Sequence, residues 1–175
     1  PVYFICINIG QYFGLSYESL GEFSWFFQIY NIAVFLPSVI VGFTLKKLNE
    51  DKSSLNKIFK YYLIFSIVCT LSLIFLKDFV FFISKFKSNE DIDLLYYYMI
   101  LSMFFYILNS SFSGYWVSQN FAKISFFVNF IWAILVILLN WILMLNDMGF
   151  ESIFLSTGIA YIFLISFQLL LKRKF

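Results

Sequence analysis

The 175-residue sequence contains no histidine, so a Ser-His-Asp triad, a Cys-His pair and any histidine metal site are impossible within it. Its two cysteines, Cys6 and Cys69, stand far apart inside apolar runs and lack CxxC spacing, so they read as buried small residues. The seven glycines never form GxxxxGK or GxGxxG, which removes the usual phosphate-cradling loops. Charge is also scarce. Only 13% of residues are charged, where a soluble domain carries about a quarter. Hydrophobic residues make up 62% of the chain and the mean hydropathy is +0.86. That leaves too little polar side chain to cover a water-facing surface. The length alone would suggest one soluble domain; the composition makes lipid the better solvent.

The charges that remain fall into short clusters: Glu18 with Glu22, Lys46 to Lys60, Lys77 to Asp93, Lys123 alone, Asp147 with Glu151, and Lys172 to Lys174. Between them lie charge-free runs at 1–17, 23–45, 61–76, 94–122, 124–146 and 152–171. A hydrocarbon core of roughly 30 Å needs about 20 apolar residues in a helix. Only helices and closed barrels satisfy the backbone there. Ile131 to Leu139 is apolar on every side for more than two helical turns, unlike the alternating segments of a barrel. The expectation is an all-α polytopic membrane domain over 1–175, with about six spans near 1–17, 23–45, 58–76, 94–117, 124–145 and 153–171. The third charge-free run, at 61–76, reaches full length if Ile58 and Phe59 join it and Lys60 extends toward the headgroups. The run at 1–17 begins at Pro1 without an initiator methionine, which suggests a chain cut at its start.

Basic residues in alternate loops set orientation. One side collects Lys46, Lys47, Lys52, Lys57, Lys60, Lys123, Lys172, Arg173 and Lys174; the other collects only Lys77, Lys85 and Lys87. The first side, with both ends of the chain, is therefore expected in the cytoplasm. Trp25, Tyr61 with Tyr62, Tyr96 to Tyr98, Tyr115 with Trp116, and Trp141 lie near expected span ends. There they are expected to keep their polar edges in the headgroups.

No catalytic residue or metal site emerges. Asp91 with Asp93 superficially resembles a metal-holding carboxylate pair, but its loop is expected on the extracytoplasmic side and reads as solvated, as do Glu18 and Glu22. Basic residues follow topology and do not form a nucleic-acid surface. The remaining candidates are polar residues within spans: Asn8, Gln11, Gln28, Asn31, Asn109, Ser110, Ser111, Ser113, Asn129 and Asn140. Gln28 and Asn31 share a helical face, as do Asn8 and Gln11. If both faces point inward, they present amides to one cavity suited to sugar hydroxyls. The small, polar stretch Asn109 to Gly114 allows close helix approach or a bend, with packing the simpler role.

A resemblance rests on Leu20-Gly21-Glu22-Phe23, on Trp25 to Ile29, and on Phe35-Leu36-Pro37-Ser38 leading into Lys46, Lys47, Lys52 and Lys57. Further parts are the turn Tyr115 to Lys123, the stretch Asn129 to Asn140, Asn146 to Ser152, and Ile159-Ala160-Tyr161. Together these resemble the C-terminal lobe of polysaccharide flippases of the multidrug/oligosaccharidyl-lipid/polysaccharide exporter superfamily. The resemblance implies one six-helix lobe of a twelve-helix carrier in a bacterial inner (plasma) membrane, without bond-making chemistry or a cofactor. Its partners would be membrane lipid, a polyprenyl-diphosphate-linked oligosaccharide and a second lobe or chain. Asn8, Gln11, Gln28 and Asn31 would meet the sugar. Because no Lys or Arg lies mid-span, a diphosphate would have to find cations at helix ends such as Lys46, Lys60 or Lys123, or in another lobe. A drug or cation antiporter would call for an embedded carboxylate, which this stretch lacks. A glycosyltransferase or polymerase would be expected to carry a larger outer loop. A non-catalytic membrane subunit explains the same hydropathy without a ligand.

Overall fold

The computed structural model describes residues 1–50, 55–86, 89–118 and 121–172; the side chains at 36, 38, 40–50, 118, 122 and 172 fall outside that description. The described residues form seven α-helices: α1 (Val2–Tyr12), α2 (Tyr17–Glu50), α3 (Leu55–Phe75), α4 (Lys77–Ser84), α5 (Glu90–Ser118), α6 (Ala122–Leu145) and α7 (Glu151–Lys172). The fold is all-α. Among the described residues, four helices are long and apolar enough to cross a membrane: Leu55–Phe75, Glu90–Val117, Lys123–Leu145 and Glu151–Leu171. The run at 1–17 forms a helix of 11 residues, roughly 16 Å at 1.5 Å per residue. The run at 23–45 lies within the 34-residue α2, which continues through Pro37.

Local chemistry explains where the helices begin. Ser16 precedes α2, and its Oγ accepts the Ser19 backbone N–H at 3.2 Å. Asn89 precedes α5, and its Oδ1 accepts the Ile92 N–H at 2.8 Å. Before α7, Glu151 Oε1 accepts the Gly149 N–H at 2.8 Å. All three starts carry carboxylates in the first turn: Glu18, then Glu90, Asp91 and Asp93, then Glu151. Negative charge is favourable there because the exposed N–H groups give a helix N-terminus partial positive charge. Gly14, at φ +79°, makes the reversal from α1 to α2, a backbone state that costs glycine little.

Helix α5 is the hub. It packs against α2, α3 and α7, while α6 packs on α7 and α1 on α6. Half of the span residues in α5 and in α7 are buried, against 17% in α3 and 22% in α6. The outer helices therefore turn Ile64, Val68, Leu71, Phe126, Phe127 and Leu138 outward, an apolar surface suited to acyl chains and not to water. Small residues let α5 and α7 approach closely. A Cβ on Gly158 would lie 3.5 Å from the Ser102 Cα, and Ser111, Ser156 and Thr157 are buried with their hydroxyls bonded to backbone carbonyls one turn back.

Aromatic packing fills the remainder of the core. Phe23 contacts Phe150 and Phe154 at ring-centroid distances of 5.8 and 5.1 Å, and Phe26 meets Phe81, Phe86 and Tyr96. Gly10 allows α1 to dock: a Cβ there would come 2.6 Å from the Phe150 ring.

Two sequence expectations change. The loop expected at 77–93 contains α4, whose Val80 and Phe81 enter the core while Phe79, Phe82 and Ile83 stay exposed. The aromatic residues expected in the headgroups do not share one environment, and Trp25 and Tyr98 are half-buried. Tyr61, Tyr97 and Trp141 are exposed, but Tyr62, Tyr96 and Trp116 are buried. Tyr96 and Trp116 meet their polar needs inside the protein: the Tyr96 hydroxyl donates to the Leu73 carbonyl at 2.6 Å, and Trp116 bonds to Gln168.

Candidate functional site

Five aromatic residues from five helices form a closed circuit inside the bundle. Tyr3 on α1 meets Trp132 on α6, Trp132 stacks on Tyr161 of α7, Tyr161 meets Tyr106 of α5, Tyr106 meets Tyr30 of α2, and Tyr30 returns to Tyr3. Adjacent ring centroids are 5.6 to 6.4 Å apart, within range for favourable edge and offset contacts. The Tyr3 and Tyr30 hydroxyls lie 3.5 Å apart.

Beside this circuit is a cavity of about 280 Å³. Helix α5 contributes Tyr106, Asn109, Ser110 and Ser113; α6 contributes Asn129 and Trp132; α7 contributes Tyr161. Among the described residues, amides, hydroxyls and an indole line it, with no carboxylate or ammonium group. Its residues are one to four turns inside the helices that bear them.

A relay of side chains holds one wall of this cavity. The Trp116 indole N–H donates to Gln168 Oε1 at 2.9 Å, and Gln168 Nε2 donates to Asn109 Oδ1 at 2.7 Å. An indole nitrogen only donates, which fixes both amide orientations: Gln168 must accept with its oxygen and donate with its nitrogen. Asn109 consequently receives a bond at Oδ1 and keeps Nδ2 as a donor. A second polar tie joins α7 to α6, where Ser152 Oγ donates to Asn140 Oδ1 at 2.9 Å. Both ties are buried, where an unpaired polar group is costly.

A second polar cavity among the described residues is chemically opposite. About 460 Å³ in volume, it opens at the end of the bundle where α2, α5 and α7 begin, and Glu18, Glu22, Asp91, Asp147 and Glu151 line it. Burial, followed by the charges of Glu18 and Asp91, pushes the Glu22 carboxyl above its ordinary pKa. Near this end Lys77 forms an ion pair with Asp93 at 2.9 Å and lies 4.9 Å from the Tyr97 ring centroid. Burial opposes charge on Lys77, but Asp93 and Tyr97 outweigh it and hold the lysine pKa above its ordinary value. Asp91 and Asp93 are therefore engaged with different surroundings: Asp91 lines the acidic cavity and Asp93 pairs with Lys77. Among the described residues, no group of three or more Cys, Asp or Glu side chains is arranged to hold a metal ion.

The residues singled out in the sequence occupy several places. Asn8 is exposed on α1 and donates Nδ2 to the Phe4 carbonyl at 2.7 Å; Gln11 is half-buried; Gln28 and Asn31 are exposed on α2. The two polar cavities are lined by other residues. Lys60 and Lys123 are exposed, while the side chain of Lys46 lies outside the described residues, as do residues 51–54 and 173–175. Asn109, Ser110, Ser113 and Asn129 come together at the uncharged cavity. The partners missed in the two buried ties were Ser152 and, beside the cavity, Gln168. As the amide in the charge-free run 152–171 it carried the available signal, whereas the aromatic walls carried none, because Phe, Tyr and Trp are common throughout the chain.

No family model matches the chain, and no curated protein or solved structure matches it.

Proposed function

We infer that this chain is one lobe of a multi-pass transporter that moves a polyprenyl-diphosphate-linked oligosaccharide across a bacterial plasma membrane for surface polysaccharide (lipopolysaccharide or capsule) assembly. The observation that carries this reading is the uncharged cavity of Tyr106, Asn109, Ser113, Asn129, Trp132 and Tyr161 within a bundle that has four candidate spans. A membrane-embedded pocket of amides and hydroxyls suits neutral polar cargo, since an ion there would lack counter-charge. Transport of such a glycan requires no bond chemistry from the protein. The exposed amides of Asn8, Gln28 and Asn31 are available to a facing lobe or second chain, where the sugar path of a two-lobed carrier would run. Exposed Lys60 and Lys123 offer cations at the opposite end from the acidic cavity, suited to a diphosphate held near the cytoplasmic headgroups.

An antiporter in the same superfamily is less well supported, because no Asp or Glu occurs from residue 94 to residue 146 and the acidic side chains of the larger cavity cluster near helix starts. The test is reconstitution of the native protein into liposomes with a fluorescent polyprenyl-diphosphate disaccharide in one leaflet. Protein-dependent transfer to the other leaflet is expected. A rate equal to that of protein-free liposomes would overturn the transport reading.

A further inference from the structure

The relay from Trp116 through Gln168 to Asn109 does more than join α5 to α7. Its direction is set by the indole, so Asn109 is left with Nδ2 as its remaining donor group. Trp132 lines the same cavity, and its buried indole N–H has no hydrogen-bond partner among the described residues. In an apolar interior an unpaired N–H costs about 1–3 kcal/mol; the nitrogen has no surface open to the cavity, so a ligand oxygen would relieve this deficit only after a small rotation of the indole. Ser113 and Asn129 add groups that both donate and accept, while the Tyr161 hydroxyl is engaged with Tyr30. Trp132 and Tyr161, stacked on each other with ring planes 21° apart, make the aromatic part of the lining.

We propose that this cavity is a binding site within the lobe for one uncharged sugar ring, with Gln168 and Trp116 as positioning residues that hold Asn109 as a donor. A pyranose presents hydroxyl and ring oxygens at its edge and C–H groups on its face, matching the amide and hydroxyl lining and its aromatic part. About 280 Å³ lies at the small end of the roughly 300–1,000 Å³ of typical ligand sites, so one ring fits and a longer glycan extends beyond it. A uronate is disfavoured, because its carboxylate would enter without a counter-charge among the lining residues. The inference rests on the transport reading for the source of the sugar, whereas the binding site itself rests on the cavity.

The test is a titration of the native protein in lipid nanodiscs, with Trp25→Phe and Trp141→Phe introduced so that fluorescence from Trp116 and Trp132 reports. The probes are methyl glucopyranoside and, separately, sodium glucuronate. The glucopyranoside is expected to give a saturable change and glucuronate none. Asn109→Leu should weaken the response by about tenfold, the loss of one to two hydrogen bonds. Gln168→Leu should weaken it several-fold although Gln168 lies outside the lining. Ser113→Ala, outside the relay, provides a second variant with little threat to folding and should weaken binding about threefold to fivefold. Equal responses to the neutral and anionic probes, no saturable response to either, or unchanged binding by folded Ser113→Ala and Gln168→Leu would each overturn the proposal. Sugar binding without lipid transfer in liposomes would leave this site standing and remove the transport reading. Transfer without sugar binding would do the reverse.

Discussion

The two polar cavities follow opposite rules. The acidic one lies where three helices begin, with Glu18, Asp91 and Glu151 in first helical turns and Glu22 and Asp147 beside them. The inner one lies between the C-terminal half of α5, the N-terminal half of α6 and the middle of α7, and has no charged lining residue among those described. The difference follows from where water and helix ends are available. A carboxylate at a helix start is stabilised by the dipole and hydrated from outside. A polar group deep between apolar helices must find its partner within the protein, as Asn109, Gln168 and Trp116 do.

The comparison breaks most readily at the packing both cavities share. Phe154 is fully buried and touches Phe23 and Tyr30. Phe154→Ala should cost about 2–4 kcal/mol, chiefly through lost contacts and the void left behind, which persist even where the unfolded helices remain in lipid. Unfolding from mixed micelles by increasing dodecyl sulfate measures this loss, and an unchanged midpoint would remove the aromatic core from the account.

A smaller effect isolates the inner cavity. Gln168→Leu leaves the Trp116 N–H and Asn109 Oδ1 without their relay partner and should cost about 1–2 kcal/mol in the same assay. The double variant Gln168→Leu with Trp116→Phe should cost less than the sum of the two singles, because the indole no longer leaves a stranded donor. Strict additivity would show that the relay is not one unit.

The acidic cavity should answer to pH instead. Glu22 has its folded pKa raised, first by burial and then by Glu18 and Asp91. The fold therefore holds the proton more tightly than the unfolded chain does, and stability falls as pH rises from the ordinary carboxylate pKa through the raised value. Glu22→Gln should remove that part of the fall, leaving the variant more stable than the wild type at neutral pH and closer to it in acid. Thermal melts at a series of pH values check this, and parallel curves for the two proteins would contradict it. The smallest effect is expected at Lys77, partly exposed beside Asp93. Lys77→Met should cost less than about 1 kcal/mol, with high salt shrinking the difference in melting temperature.

Much of the helix order was legible because charge clusters interrupt apolar runs. Lys60 and Lys123 mark starts, and Asp147 with Glu151 marks the turn between α6 and α7. What the sequence withheld was the rotation of each helix. In water, one polar face shows which way a helix points; here α3 and α6 are apolar toward both protein and lipid, so the periodic signal fades. Asn109 was recognisable as polar, but its partner Gln168 lies 59 residues away. Tyr96 and Trp116 sat near expected span ends and read as headgroup anchors, although their partners, Leu73 and Gln168, place them in the core. Helix α4 was concealed within a charged stretch because only Val80 and Phe81 of its short sequence are buried.

The central claim is a multi-pass bundle whose acidic and basic ends lie on opposite sides of the membrane. Trp141, near the end of α6, packs on Tyr12 and Phe13 beside the start of α2, so Glu18 and Lys123 belong to opposite ends. The direct measurement places single cysteines at Glu18→Cys and Lys123→Cys, with Cys6→Ser and Cys69→Ser as background, and treats bacterial spheroplasts with a membrane-impermeant thiol reagent. Both positions are exposed. The account predicts labelling of Glu18→Cys in intact spheroplasts and of Lys123→Cys only after permeabilisation; labelling of both from the outside would contradict it.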